Sequence, residues 1–413
     1  MKDLVGRGRR AVAMARSGGL HEVVRRVRHG SKQDIFGEFA FMSEPMVVPD
    51  LGTVDAPEHT VNWVLPAFTA GSGGHLNALR FLGMLRERGY DCRVIIDAGS
   101  WFGDVTEVKS RLQRFFAMPD VPVYVGIATA PSAFAAVATG WQQAYAVRNS
   151  IRARERFYFV QDFEPWFYAR GSEFAFAEET YRFGFTGITA GTWLADKLAS
   201  DYGMACFPVG FSYDKALYAP GPKRSQGKRR VFFYARPSTE RRAFELGVLA
   251  LHRLCASMPD VLPVLAGFDL SAFVIPFEHE SLGVLGVEAL PDLYRSCDLA
   301  LVISLTNLSL LPLELMACGI PVVSNSGPWT EWLLNRDNAV LAEANALSLA
   351  DAMRSLLLAE PERARMVSAG IAFAESTSWD DAGDQMAAAL ASRGCVSSPM
   401  RRSSGADSGR EHG

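Results

Sequence analysis

Short apolar runs alternate with amphipathic stretches along this chain, and the alternation occurs twice. That pattern limits the fold more than any other feature. From residue 60, "TVNWVLPAF" reads as a strand, "GGHLNALRFLGMLRERGY" as a helix and "DCRVIID" as the next strand. "VPVYVGIAT", "RFYFVQD" and "GFTGITA" read as further strands. Helical stretches such as "SAFAAVATGWQQAYAV" and "GTWLADKLASDYG" separate them. Apolar runs of about four to eight residues between helices imply parallel strands buried on both faces. Residues 210 to 230, "GFSYDKALYAPGPKRSQGKRR", are rich in Gly, Pro and charge and read as an interdomain linker. The pattern then restarts, with "VFFYAR", "VLPVLAGF", "SLGVLG", "LALVIS" and "IPVVSN" as strands between helices. "NAVLAE" and two further helices complete it.

The expected fold class is therefore α/β, with two doubly wound domains in series. A chain of 413 residues is too long for one ordinary core, which agrees. Ligands bind such sheets at the carboxyl ends of strands, near topological switch points. With two such domains, the cleft between them is the default site.

The net charge of −3 gives no reason to expect a nucleic-acid partner. The six cysteines are scattered, with no CxxC and no Cys/His cluster, which reads as a reducing compartment and no structural zinc. No export signal is visible at the start. The most apolar region is broken by Asn307, Pro312, Glu314 and Gly319, so it lacks the ~20 clean apolar residues of a membrane span. A cytoplasmic protein is expected. Residues 1–32 carry Arg7, Arg9, Arg10, Arg16, Arg25, Arg26, Arg28 and Lys32 against Asp3 and Glu22. Such an arm either lies on an anionic membrane surface or is a solvated or packed helix. Residues 393–413 have almost no large apolar groups and are expected to be disordered.

Four stretches could carry chemistry. In "AFTAGSGGHLNALRF", Gly71, Gly73 and Gly74 precede a helix start, where backbone donors and the dipole attract an anion. His75 follows and could meet an acceptor or a phosphate, although a lone His there is as often structural. In "YARPSTERRAFELG", Arg236 and Arg241 leave the first strand of the second half, placed to grip a diphosphate or else to form a solvated helix start paired with Glu240 or Glu245. In "TNLSLLPLELMACGIPVVSN", a loop through Thr306, Asn307, Ser309 and Leu310 leads to a helix bearing Glu314. A carboxylate does not favour phosphate, so Glu314 suits a hydroxyl pair such as a ribose. In "FYFVQDFEPWFY", Gln161, Asp162 and Glu164 end an apolar strand inside an aromatic frame. Asp162 could cap the next turn and Glu164 could pair with Arg170. Alternatively, both could serve a site. An Asp162-Phe163-Glu164 metal site is the weaker reading.

"LPLELMACGIPVVSNSGPWTEWL" resembles the donor-binding segment of family-four retaining glycosyltransferases, which have the GT-B fold. "ITAGTWLADKLASDYGMACFPVGFSYDKALYAPG" resembles their domain-crossing stretch. Arg236 and Arg241 match the family's Arg-then-Lys diphosphate pair. The resemblance covers roughly residues 60 to 392. "YFVQDFEPWFY" and "ARPSTERRAFELG" narrow it to the branch of bacterial surface-polysaccharide rhamnosyltransferases, which use dTDP-rhamnose. The resemblance implies a 1–59 extension, an acceptor-side domain at 60–209 rejoined by helix 376–392, and a linker with nucleotide-sugar domain at 210–375. It implies a nucleotide-sugar donor, a glycan or lipid-linked glycan acceptor, and no metal.

Two departures stand out. The family's first glutamate, seven residues before the second, is replaced by Thr306. Its catalytic His position holds Gln161. A deoxy sugar, with fewer hydroxyls, fits the first loss. Asn307 or backbone donors would then recognise the sugar. Gln161, Asp162 and Glu164 are the expected catalytic group, with Asp162 able to assist as a base. Trp166, Phe167 and Tyr168 would form either an apolar wall for sugar rings or part of the core. The rival readings are a GT-B nucleotide-sugar epimerase and a non-catalytic sugar-binding protein.

Overall fold

The computed structural model describes residues 34–43, 54–68, 72–97, 104–118, 120–222 and 227–398. The expected GT-B architecture is found: two parallel, doubly wound sheets. The first contains β1 (Thr60–Pro66), β2 (Asp91–Asp97), β3 (Val123–Val125), β4 (Ala133–Ala138), β5 (Ala153–Val160), β6 (Thr186–Ala190) and β7 (Cys206–Val209), in the order β3-β2-β1-β4-β5-β6-β7. The second contains β8 (Arg229–Tyr234), β9 (Val261–Ala266), β10 (Glu280–Ser281), β11 (Leu299–Val302), β12 (Val322–Asn325) and β13 (Ala339–Ala342), in the order β10-β9-β8-β11-β12-β13. In each sheet the first strand lies between the second and the fourth, so the order reverses there. Both halves thus place a switch point at the carboxyl end of their first strand.

Every residue of β4 is buried, as is every residue of β6, because helices cover both faces. This corrects one expectation. "SAFAAVATG" was expected to be helical, but Ala133–Ala138 is a central strand, and the helix starts only at Trp141. Alanine favours helix locally, but burial between β1 and β5 overrides that preference. The expected strand "SLGVLG" shrinks to the two-residue β10 at the sheet edge. Val284 is 78% exposed, so nothing buries the rest of that run.

The core of the first half is aromatic. Trp63 and Phe81 meet Phe159 edge-on, at 5.9 and 5.2 Å between centroids. The chain crosses between the halves twice, side by side. Ser212 and Thr377 hydroxyls lie 2.9 Å apart, and Lys215 donates to the carbonyl of Glu375. The last helix, Trp379–Ala391, then lies on the helix Gly73–Glu87. Arg88 pairs with Asp384 at 2.8 Å, and Arg80 sits 4.2 Å over the Trp379 ring. The segment after it corrects a second expectation. Residues 393–398 are packed on the first half: Cys395 is fully buried, and Val396 and Ser398 donate to the carbonyls of Glu58 and Gly89. The buried Cys395 side chain and these two backbone hydrogen bonds hold the short piece in place, while Val396 stays 43% exposed. The rest of the expected disordered tail lies outside the described residues, as do the arginine-rich residues 1–32 and Gly71. Among the described residues, no helix is long and apolar enough to cross a membrane.

Candidate functional site

The turn after β1 opens the cleft from the first half. Ser72 would normally cap the helix Gly73–Glu87, but its Oγ lies 2.6 Å from Nδ1 of His75 and makes no cap. The first-turn N–H groups of Gly73 and Gly74 are thus left uncapped, and both glycines are exposed. Burial pushes the His75 pKa down to about 4. His75 is therefore neutral at pH 7 and meets a ligand as a hydrogen-bonding imidazole rather than as a cation. Gln161, at the end of β5, donates to the carbonyl of Gly74 at 2.9 Å and accepts from Asn77 at 3.4 Å. It belongs to the same rim.

The turn after β8 is the opposite in charge. Arg236 is partly exposed and donates to the Tyr234 hydroxyl. Arg241 lies over the Phe167 ring at 4.1 Å. Its Nε is 3.3 Å from Oδ2 of Asp162, an ion pair without hydrogen-bond alignment. Arg242, which sequence reasoning missed, turns inward. It donates to Ser304 Oγ at 2.7 Å and to the Asn307 carbonyl at 3.0 Å. Burial lowers its pKa to about 10, opposed by Asp162, and it stays charged at neutral pH. Arg242 braces the 304–309 loop, while Arg236 and Arg241 retain donors for a ligand. The only sequence signal for this division is the "RR" pair, where neighbours must point different ways.

Asp162 and Glu164 are held by different sets of neighbours. Asp162 is buried, and it joins the halves. Oδ1 accepts from the N–H groups of Phe163 and Asn307, and Oδ2 accepts from the Thr306 hydroxyl at 2.9 Å. With Arg241 beside Oδ2, this arrangement positions both the 306–307 loop and the arginine. Burial raises its pKa, opposed by Arg241 and Arg242. Glu164 lies within the first half. It accepts from the Tyr158 hydroxyl at 2.7 Å and the Trp141 N–H at 2.8 Å, and Arg170 is not among its partners. Burial raises its pKa to about 7. It pins the start of the helix Trp141–Asn149. The two carboxylates face different neighbours, so they do not form a metal pair. Among the described residues, no group of three or more His, Cys, Asp or Glu could hold a metal ion.

Asn307 is also fully engaged. Nδ2 donates to the carbonyls of Gln161 and Ala190, and Oδ1 accepts from the Trp332 indole at 2.7 Å. It therefore staples the halves together and has nothing free for sugar hydroxyls. Trp332 packs so closely on Gly191 (φ +81°) that a Cβ there would lie 2.4 Å from the ring, so only glycine fits. Trp166 stacks on Trp193 at 5.8 Å and meets Trp329 edge-on at 5.6 Å. With Phe167 under Arg241, these rings wall the interdomain contact. Tyr168 instead accepts from Trp141 Nε1, inside the first half. Ser309 is exposed and shares a small notch with Tyr234 and Arg242, while Leu310 packs against the first-half core. Glu314, on the helix Leu311–Ala317, accepts weakly from Tyr294 at 3.4 Å. Burial raises its pKa to about 7, eased by Tyr294 and by Arg80 from the other half. Arg80, Tyr218 and Tyr294 around Glu314 were not expected, because no local pattern links them.

Comparison with known proteins adds the following. Residues 104–190 match the WsaF N-terminal domain and residues 229–354 match the WsaF C-terminal domain. The chain is 37% identical over 273 residues to an O-antigen biosynthesis protein, RfbC, of Myxococcus xanthus. That match takes in 65% of this chain but 21% of the relative, so this chain spans about a fifth of its length. Among solved structures, HepE of Anabaena in complex with UDP-glucose superposes with a TM-score of 0.63 at 17% identity, over 81% of this chain and 99% of that one. A sucrose-phosphate synthase from Thermosynechococcus elongatus gives 0.60 at 12%, over 79% and 97%. WaaG, described as a glycosyltransferase of lipopolysaccharide biosynthesis, gives 0.53 at 14%, over 79% and 98%. At these identities the structural likeness bears on fold alone.

Proposed function

We propose that this chain, with its WsaF N- and C-terminal domains in series, is a retaining glycosyltransferase of bacterial surface-polysaccharide assembly. It takes a nucleotide-sugar donor, and the finer reading is rhamnose from dTDP-rhamnose. The observation that carries the proposal is the arginine turn after β8, which faces the polar end of β5 across the cleft of a GT-B fold. Arg236 and Arg241 bind the diphosphate, Glu314 the ribose hydroxyls, and the uncapped turn at Gly73 and Gly74, with Gln161, the acceptor side. Ser309 and the backbone around Leu310 lie beside the donor. The bond from the anomeric carbon to the phosphate oxygen breaks as the acceptor oxygen bonds to that carbon on the same face. The acceptor proton passes to the departing phosphate. Arg236 and Arg241 stabilise the charge that develops there. Thr306, held by Asp162, leaves no carboxylate on that loop for a further sugar hydroxyl, which suits a deoxy sugar. No metal is required, and turnover survives a chelator. The RfbC relative and the WaaG fold neighbour support the polysaccharide setting.

The test is a donor screen on purified protein. A ligand specific to the folded state adds about 2.7 kcal/mol of stability at a hundredfold excess over Kd. dTDP-rhamnose should raise the melting temperature more than UDP-glucose, UDP-N-acetylglucosamine or GDP-mannose at equal concentration. If another donor gives the largest shift and is consumed with an acceptor, the rhamnosyl reading is wrong and the transferase reading stands. If no nucleotide sugar shifts the melting temperature, both are wrong.

A further inference from the structure

A second charged cavity lies away from the cleft, at the opposite end of β5. β6 begins at Thr186 opposite Phe157, so the first residues of β5 extend past it. An open notch of about 330 Å³ results, lined by Arg154, Glu155, Arg156, Phe183, Thr186 and Arg393 among others. Arg154 and Arg156 are two apart on one strand and so project to the same face. Seven residues separate Arg154 from Gln161, about 23 Å along an extended strand, so this notch is distinct from the cleft.

Its chemistry is that of an anion site. Three guanidiniums face one carboxylate, an excess of two positive charges. Arg156 has buried Nε and Nη2 atoms with no hydrogen-bond partner. Those two atoms form one edge of the guanidinium fork, the edge that holds two oxygens of a single oxyanion. A buried donor left unpaired is costly, and a bound anion removes that cost. Arg393 reaches in from beyond the last helix and is held by its Nε on the Thr186 hydroxyl at 2.9 Å. Arg148 lies over the Phe183 ring at 3.9 Å and adds to the positive field. Arg154 lies over the Phe134 ring at 5.3 Å, with its guanidinium N–H groups free of any carboxylate partner among the described residues.

We infer that this notch binds a phosphate group, separately from the donor site, with Arg156 as the two-pronged contact and Arg154 and Arg393 closing on it. The excess of two positive charges matches a phosphate monoester dianion. Such a group could belong to a soluble phosphorylated compound or to a phospholipid headgroup.

The experiment is equilibrium dialysis of inorganic phosphate against the full chain at low salt, where charge contacts are least screened. The native protein is compared with Arg156→Gln, Arg156→Lys, Arg393→Gln and Arg253→Gln. Arg156→Gln and Arg393→Gln should each weaken binding at least tenfold, while Arg253→Gln, on the exposed surface of the second half, should retain it. Arg156→Lys keeps the charge without the fork and should lose at least threefold. It also serves if the glutamine variant fails to fold. Unchanged binding in the three notch variants, or equal loss in Arg253→Gln, overturns the proposal. Flotation with phosphatidic acid vesicles, against phosphatidylcholine alone, distinguishes the source. Retention abolished by Arg156→Gln supports a lipid headgroup. Phosphate binding without such retention supports a soluble phosphate.

Discussion

The turn after β1 and the turn after β8 occupy the same place in their sheets, yet one carries no charge at neutral pH and the other carries three arginines. In the first, His75 is held neutral by burial, and the open groups are glycine N–H donors and a glutamine amide. In the second, Arg242 is spent on bracing the loop, and Arg236 and Arg241 remain for a ligand. Equal topology therefore does not mean equal ligands. A neutral, donor-rich rim suits a polyhydroxy acceptor, and the guanidinium turn suits a diphosphate. The two rims are set against each other by Asp162, which leaves the first half and ends among Thr306, Asn307 and Arg241 of the second.

The comparison is broken most directly at the charged turn. Arg241→Ala and Arg236→Ala should each cost about 1.5–3 kcal/mol of nucleoside-diphosphate affinity, measured calorimetrically with dTDP and UDP. His75→Gln should leave that affinity within about twofold. Equal losses from both turns would mean that the nucleotide bridges them.

Next in size is a pH effect within the first half. Glu164 titrates near 7 when folded and near 4.5 when unfolded. Its protonated form is favoured by folding, so its contribution is full below pH 4.5 and is lost as pH rises through 7. The loss is at most about 3 kcal/mol. Glu164→Gln should flatten the decline in stability between pH 4.5 and 7, read by urea unfolding at a series of pH values. An unchanged slope would assign the titration to Glu314, whose pKa is also raised to about 7.

On the second half, Glu314→Gln should weaken nucleoside-diphosphate binding by about 1 kcal/mol and leave inorganic pyrophosphate unaffected. Losses shared by both ligands would point to a disturbed helix start. The acid-side counterpart is at His75, whose equal and opposite shift is screened by solvent because the side chain is only half-buried. Its folded pKa near 4 lies below the usual 6.5, so its contribution is present above pH 6.5 and is lost as pH falls toward 4. His75→Gln should remove that acid sensitivity, opposite in sign to the change at Glu164. If the slope survives, His75 is charged in the folded protein and the neutral-rim account fails.

Much of this was legible in the chain. The repeated alternation gave both sheets, and the Gly and Arg turns fell at strand ends because glycine and clustered charge are excluded from buried strand interiors. Ala133–Ala138 was misread because alanine carries no period of its own. Only its neighbours β1 and β5 make it a strand. Asp162 and Glu164 could not be told apart from sequence, since both follow the same strand and differ only in distant partners.

The sequence by itself determined two βα repeats and the strand-end turns where backbone donors and guanidiniums collect. Those properties follow from local spacing, turn chemistry and residue type. The tertiary structure alone decided which polar groups remain free. Asn307 is consumed by Gln161, Ala190 and Trp332. Asp162 takes two of its three hydrogen bonds from residues 144 or more away in the chain. Arg156 is left unpaired at the far end of β5. A side chain's availability depends on which partners reach its lone pairs and N–H groups, and contacts that distant are set by how the two sheets and their crossings pack.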